Sequence, residues 1–192
     1  MTARQFFSGV LGGAVLGTFL LVCAGANAEE PKRGGSITVG LETDLRGFDP
    51  IKARVLGNSA ATVINVIQDR LFDVDEEGNL VAMLATGAEQ EEGGTSWLIT
   101  LRTDVTFHDG TPFNADAVVA HWTRILSPSY VGGIFLQPME GIEKVDEFTV
   151  RFHLDHAWGP FAGSLATPIG FAPYIPSPRA VSDDTQNRHP VG

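Results

Sequence analysis

The chain has one cysteine in 192 residues, Cys23. That excludes a disulfide framework and a zinc site built on several thiolates. Positive charge is scarce as well. Thirteen lysines and arginines stand against 23 aspartates and glutamates, a formal charge of −10. Nucleic acid rewards clustered basic residues, so this balance argues against such a partner. The 5 histidines form no His-x-x-x-His pair of the kind that places two metal ligands on one helix face. There is no internal repeat and no low-complexity tract. Charge of either sign is nearly missing from the first 28 residues, where Arg4 stands alone.

That last scarcity sets the compartment. An uncharged run from Phe6 ends in Ala-Gly-Ala-Asn-Ala, with Ala26 and Ala28 in a small-x-small pattern. A positive start, an apolar middle and a small-residue end describe a cleavable signal peptide over residues 1–28. A run of ~20 apolar residues could also span a bilayer. Gly9, Gly12, Gly13 and Gly17 break this one up. Lipidation of Cys23 is a third reading, but Leu21 and Val22 precede it where a lipid-modified cysteine has a small residue. Cleavage would remove Arg4 and Cys23 and leave 164 residues at −11. Such an exported chain has no disulfides and must be held by its core, for which its length suffices.

What is present is a series of short elements punctuated by 22 glycines and 11 prolines. Residues 35–43 alternate, with Ile37 and Val39 on one face, and predict a strand. A long loop broken by Gly47 and Pro50 follows. Val63, Ile64, Ile67 and Leu71 have the spacing of one helix face. A turn at Glu77-Gly78-Asn79 precedes a short apolar segment. Trp97, Ile99 and Leu101 alternate as a strand, and residues 105–107 read as a second, shorter one. Asn114 stands at the N-cap of a helix over residues 115–126, stopped by Ser127-Pro128. Phe148, Val150, Phe152 and Leu154 form the second arm of a hairpin that turns at Asp146-Glu147. A short helix is expected over residues 161–165. The chain stops inside a loop at His-Pro-Val-Gly, so the expectation is a part of a larger protein.

The reactive residue types gather in Phe-His-Asp-Gly-Thr-Pro-Phe-Asn-Ala-Asp, residues 107–116. His108, Asp109 and Thr111 would be the parts of a periplasmic hydrolase. However, members of a catalytic triad converge from separated chain positions, not from one turn. Metal binding needs three or four ligands, and His121 is too far along the chain to pair locally with His108. The structural reading uses every residue. Asp109 accepts from downstream N–H groups, Gly110 supplies a permissive position, Pro112 fixes the exit and Asn114 caps the helix. It predicts a strand-turn-helix joint, with no catalytic residue and no metal ligand.

Residues 97–126, Trp-Leu-Ile-Thr-Leu-Arg through His-Asp-Gly-Thr-Pro-Phe to the helix opening Asn-Ala-Asp, resemble the hallmark segment of the family 5 extracellular solute-binding proteins. These are the oligopeptide, dipeptide and nickel-binding components of ABC importers. Residues 32–50 resemble the family's first strand and loop, and residues 65–90 its Asp-x-x-Gly stretch, with Ala82 where the pattern has proline. The closing His-Pro-Val-Gly resembles the start of a later segment. The resemblance implies an α/β periplasmic binding protein of type II, two-lobed at full length. This chain would hold the first strand of lobe one and its inserted α+β subdomain. The implied division is a signal peptide over residues 1–28, the first strand and loop of lobe one over 29–50, the inserted subdomain over 51–188, and a return to lobe one at 189–192. It implies a non-enzymatic, periplasmic protein that captures a small solute such as an oligopeptide and delivers it to ABC permease and ATPase subunits. No cofactor and no obligate oligomer are implied. A solute-sensing receptor is the alternative. The nickel branch has an arginine after the hairpin, but residues 164–171 carry no cation, which favours peptides or similar organic solutes. Strand-end loops of α/β lobes line the ligand crevice. The expected contacts are therefore Glu42, Thr43 and Asp44, and the run Thr167, Pro168, Ile169, Gly170 and Phe171.

Overall fold

The computed structural model describes residues 34–53, 58–130, 133–166 and 172–192. The expected signal peptide lies outside them. The chain divides into two units, Met1–Val39 and Gly40–Gly192. In the first, the described residues 34–39 have no regular structure. This corrects the expected strand over residues 35–43. Alternation makes a segment fit for a ladder, but a strand exists only when another one pairs with it, and none among the described residues does.

The second unit is built on a four-stranded antiparallel sheet of β3 (Ala85–Glu91), β4 (Ser96–Leu101), β5 (Met139–Asp146) and β6 (Thr149–Leu154), in the order β3-β4-β6-β5. A two-stranded ribbon, β1 (Phe72–Val74) with β2 (Leu80–Ala82), turns at the expected place. The Asp75 carboxylate accepts there from the Glu77 and Asn79 N–H groups. Helices α1 (Pro50–Ala53) and α2 (Asn58–Ile64) precede β1. Helix α3 (Ala115–Ile125) joins β4 to β5, and α4 (Phe161–Ser164) and α5 (Pro178–Ser182) follow β6.

The alternation in β4 and β6 decides which face is the core. Trp97 stands opposite Phe152, and Ile99 opposite Val150. Residues directly opposite in an antiparallel pair share a face, and all four are buried. Helix α3 brings Val118, Trp122 and Ile125 into the same core. The Trp122 and Phe152 rings meet edge to face at 5.4 Å, and Phe161 stacks obliquely on Phe152 at 5.1 Å and on Trp97 at 5.5 Å. Aromatic contacts of this geometry add about 0.5–1.5 kcal/mol beyond the area they bury.

Two further expectations need correction. The helix expected to run to Leu71 ends at Ile64, where residues 65–68 tighten into turns. Leu71 is still fully buried, but its carbonyl accepts from the Met83 and Ala85 N–H groups as the chain feeds into β1. The β-branched run Val63, Ile64, Val66, Ile67 is a poor helix former, and pairing with the ribbon wins. Residues 105–107 make a single bridge, Thr106 with Pro112, not a strand. The Phe107 N–H donates to the Thr111 carbonyl and the Phe113 N–H to the Val105 carbonyl on either side of this bridge, and the tight turn at Gly110 and the cap of α3 at Asn114 end the pairing there.

Candidate functional site

The His-Asp-Gly-Thr turn is a joint held by its own backbone. The Phe107 N–H donates to the Thr111 carbonyl at 2.8 Å, and the Gly110 N–H donates to the Phe107 carbonyl at 2.9 Å. Gly110 sits at φ +81°, the left-handed region that favours glycine. Asp109 Oδ1 accepts from the Thr111 N–H at 2.9 Å. Asn114 caps α3 by accepting from the Ala117 N–H at 3.1 Å. The Ala115 N–H donates to the Glu147 carbonyl, which ties the start of α3 to the β5–β6 turn.

Asp109 also has a partner from far along the chain. The hydroxyl of Ser177, fully buried at the N-cap of α5, donates to its Oδ2 at 2.6 Å. Burial pushes the Asp109 carboxyl up, but hydrogen bonds from Ser177 and Thr111 and the charge of Arg179 outweigh it and hold the pKa at about 2. A carboxylate this acidic is a weak base, and Ser177 serves as a cap that also accepts from the Arg179 N–H. His108 is exposed, and its backbone N–H donates to the Gly192 carbonyl. It lines a cavity of about 90 Å³ with Asp69, Thr106 and Phe113. Ser177 and Asp109, the hydroxyl and carboxylate that do pair, lie outside that lining. The geometry makes this motif a strap between the α3 start and α5.

A larger cavity, about 220 Å³, lies along α3 and α5 and is lined by Ala117, Ala120, His121, Arg124, Pro176 and Val181, among others. His121 Nε2 donates to the Ala172 carbonyl at 2.7 Å, which makes Nδ1 the acceptor of a neutral ring. Burial drives its pKa down, helped by the Arg124 charge and opposed by the Ala172 bond and Asp49, to about 4. Arg124 donates to the buried Asp49 carboxylate at 2.7 Å. Among the described residues, the buried His121 Nδ1 and Arg124 Nη1 have no hydrogen-bond partner. Arg70, also buried, donates to the Ala166 carbonyl, pairs with Asp73 and lies over the Tyr174 ring. Sequence reasoning weighed His121 only as a metal ligand and missed Arg124 and Arg70. His121 and Arg124 do share a face of α3, but nothing in the spacing linked Arg124 to Asp49, 75 residues earlier.

Of the expected ligand contacts, Glu42, Thr43 and Asp44 are exposed in an irregular loop. Thr167, Pro168, Ile169, Gly170 and Phe171 lie outside the described residues. Their flanks are anchored, since the Arg70 and His121 hydrogen bonds fall on Ala166 and Ala172. No group of three or more His, Cys, Asp or Glu side chains among the described residues is placed to hold a metal ion.

Known proteins resemble this chain in sequence and in fold. Over 93% of its length the chain is 24% identical to the oligopeptide-binding protein AppA of Bacillus subtilis, covering 35% of that protein. It is 30% identical to the glutathione-binding protein GsiB of Salmonella typhimurium, over 81% of this chain and 30% of the relative. The solved structure of AppA with a nonapeptide superposes with a TM-score of 0.65 at 23% identity, over 79% of this chain and 31% of that one. A nickel ABC transporter structure from Bacillus halodurans gives 0.63 at 28% identity, over 78% and 29%. The fold is thus that of the type II periplasmic binding proteins, of which this chain spans about a third of the length. The family model for the bacterial extracellular solute-binding proteins, family 5 (middle), matches residues 79–192, most of the folded unit including the turn and α3, and the chain belongs to that family.

Proposed function

We propose that this chain is a portion of the solute-binding component of an ABC importer for peptides or similar small organic solutes. The protein would be exported to the periplasm and act without catalysis. The observation that carries the reading is the joint of residues 105–117 seated on the β4–β6 core, within a family match that runs through residues 79–192. The relatives named for oligopeptides and glutathione support an organic solute. In this reading capture is a two-state hinge motion, with one lobe closing on another around the solute. Glu42, Thr43, Asp44 and residues 167–171 are the proposed contacts from this side of the cleft. A ligand drives closure only through its contacts with both sides, so the 192-residue chain alone should bind peptides weakly or not at all. Permease and ATPase subunits are the proposed partners of the complete protein.

Calorimetric titration of a full-length version with di-, tri- and oligopeptides is the test. Saturable binding by that protein and none by the 192-residue chain is the expected result. Tight binding by the short chain would overturn the two-sided mechanism, and failure of the longer protein to bind any peptide would overturn the solute class.

A further inference from the structure

Two stretches 138 residues apart meet at one asparagine. The Phe48 N–H donates to the Asn187 carbonyl, and the Asp49 N–H donates to the Asn187 side-chain oxygen, each at 3.3 Å. Asp49 is almost wholly buried, and its carboxylate is divided between two tasks. Oδ1 accepts from the Ile51 and Lys52 N–H groups and so starts α1, while Oδ2 accepts from Arg124 on α3. Lys52 pairs with Asp184 across the same contact. Gly47 completes it. Its φ is +150°, which favours glycine, and a Cβ there would lie 2.0 Å from the Asn187 side-chain oxygen, so any other residue would displace the Asn187 side chain.

Further along, the outgoing chain stays fastened. The Val191 N–H donates to the Gln186 side chain, and the Val191 carbonyl accepts from the Ser177 N–H and from Gln68. The path into the folded body and the path out of it therefore run side by side. Each is tied to the other, and through Asp49–Arg124 to the helix that covers the sheet.

We propose that Gly47, Asp49 and Asn187 form a clasp that closes residues 47–187 into one mechanical body. The inference rests on the reading above for its use. In a longer binding protein, this body would move as a rigid part of its lobe, instead of loosening each time the cleft opens. The buried charge at the clasp makes it a hard stop. An Asp49 carboxylate without Arg124 and the α1 N–H groups would be left uncompensated in a dry site.

Amide-resolved hydrogen exchange on the intact chain, with no solute added, tests it. The Phe48 and Asp49 amides should exchange at least about 100-fold more slowly than those of Glu42, Thr43 and Asp44. Asn187→Ala should speed Phe48 and Asp49 by about tenfold or more and leave β4 and β6 unchanged, because it opens the clasp and not the core. Gly47→Ala should do the same by displacing Asn187. Phe48 and Asp49 amides as fast as those of residues 42–44 in the unaltered chain would overturn the clasp, as would indifference of both to Asn187→Ala. The unaltered chain decides even if a variant fails to fold. This outcome is separate from the transport reading. A full-length protein that binds no peptide leaves the clasp amides protected, and an open clasp leaves the peptide titration untouched.

Discussion

Residues 37–39 and 97–101 both place apolar side chains at every second position, yet they end in opposite places. Ile37 is 92% exposed and Val39 65%, while Ile99 is fully buried and Leu101 almost so. Residues 97–101 lie between two partners, with β3 on one side and β6 on the other. Residues 34–40 lie in no ladder among the described residues. The difference teaches that β-structure is a property of a pair. The alternation states which residues would share a face, but the free energy appears only when a neighbouring strand and a covering helix remove that face from water.

The comparison can be broken first at its strong end. Trp122→Ala empties the contact between α3 and Phe152, and truncating a buried aromatic in this way costs about 3–5 kcal/mol. Urea denaturation followed by circular dichroism measures it. A loss under about 1 kcal/mol would mean that α3 does not hold this sheet.

Next is the buried histidine on the same helix. The folded pKa of His121, about 4, lies below the ordinary 6.5, so the unfolded chain takes the proton first as pH falls. Its contribution is complete above about pH 6.5 and is lost progressively down to about pH 4, a change on the order of 3 kcal/mol. A His121→Gln variant should lack that slope. Parallel stability curves for both proteins between about pH 6.5 and about pH 4 would refute the neutral buried ring.

Smaller again is the cap. Asn114→Ala should cost about 1 kcal/mol of stability and leave the solute affinity of a full-length protein unchanged. A changed affinity at unchanged stability would turn this joint into part of the binding site.

At the weak end stands Ile37→Ala, expected within about 0.5 kcal/mol of the unaltered chain because the side chain is exposed. Hydrogen exchange sharpens the same contrast. Residues 37–39 should exchange fast and residues 97–101 and 149–154 slowly. Slow exchange at both would show that the N-terminal stretch has a pairing partner after all.

Much of the second unit was legible because its signals are local. Asn114 before an apolar face, Gly110 in a tight turn, and Phe148, Val150, Phe152 and Leu154 after Asp146-Glu147 all act over a few residues. Each is found where expected. Strand β3 was not legible, since Ala-Thr-Gly-Ala-Glu-Gln-Glu has little apolar alternation and is a strand because β4 lies beside it. Nor was the end of α2, because Leu71 enters the main core from the extended chain that leads into β1 and not from a helix face. The candidate site was less legible still. Arg70, Asp49 and Asn187 do their work through partners 96, 75 and 138 residues away.

By itself, then, the sequence determined the joint of residues 105–117, the core face of β4 and β6, and the family to which these belong. The reason is that capping, turn chemistry and two-residue or 3.6-residue periodicity are interactions of near neighbours. Only the tertiary structure decided which alternating segment became a strand, that Ser177 would hold Asp109, that His121 would be kept neutral, and that Asn187 would close on Gly47 and Asp49. Those outcomes depend on burial and on long-range hydrogen bonds. Desolvation acts on a group only once the rest of the chain has folded around it.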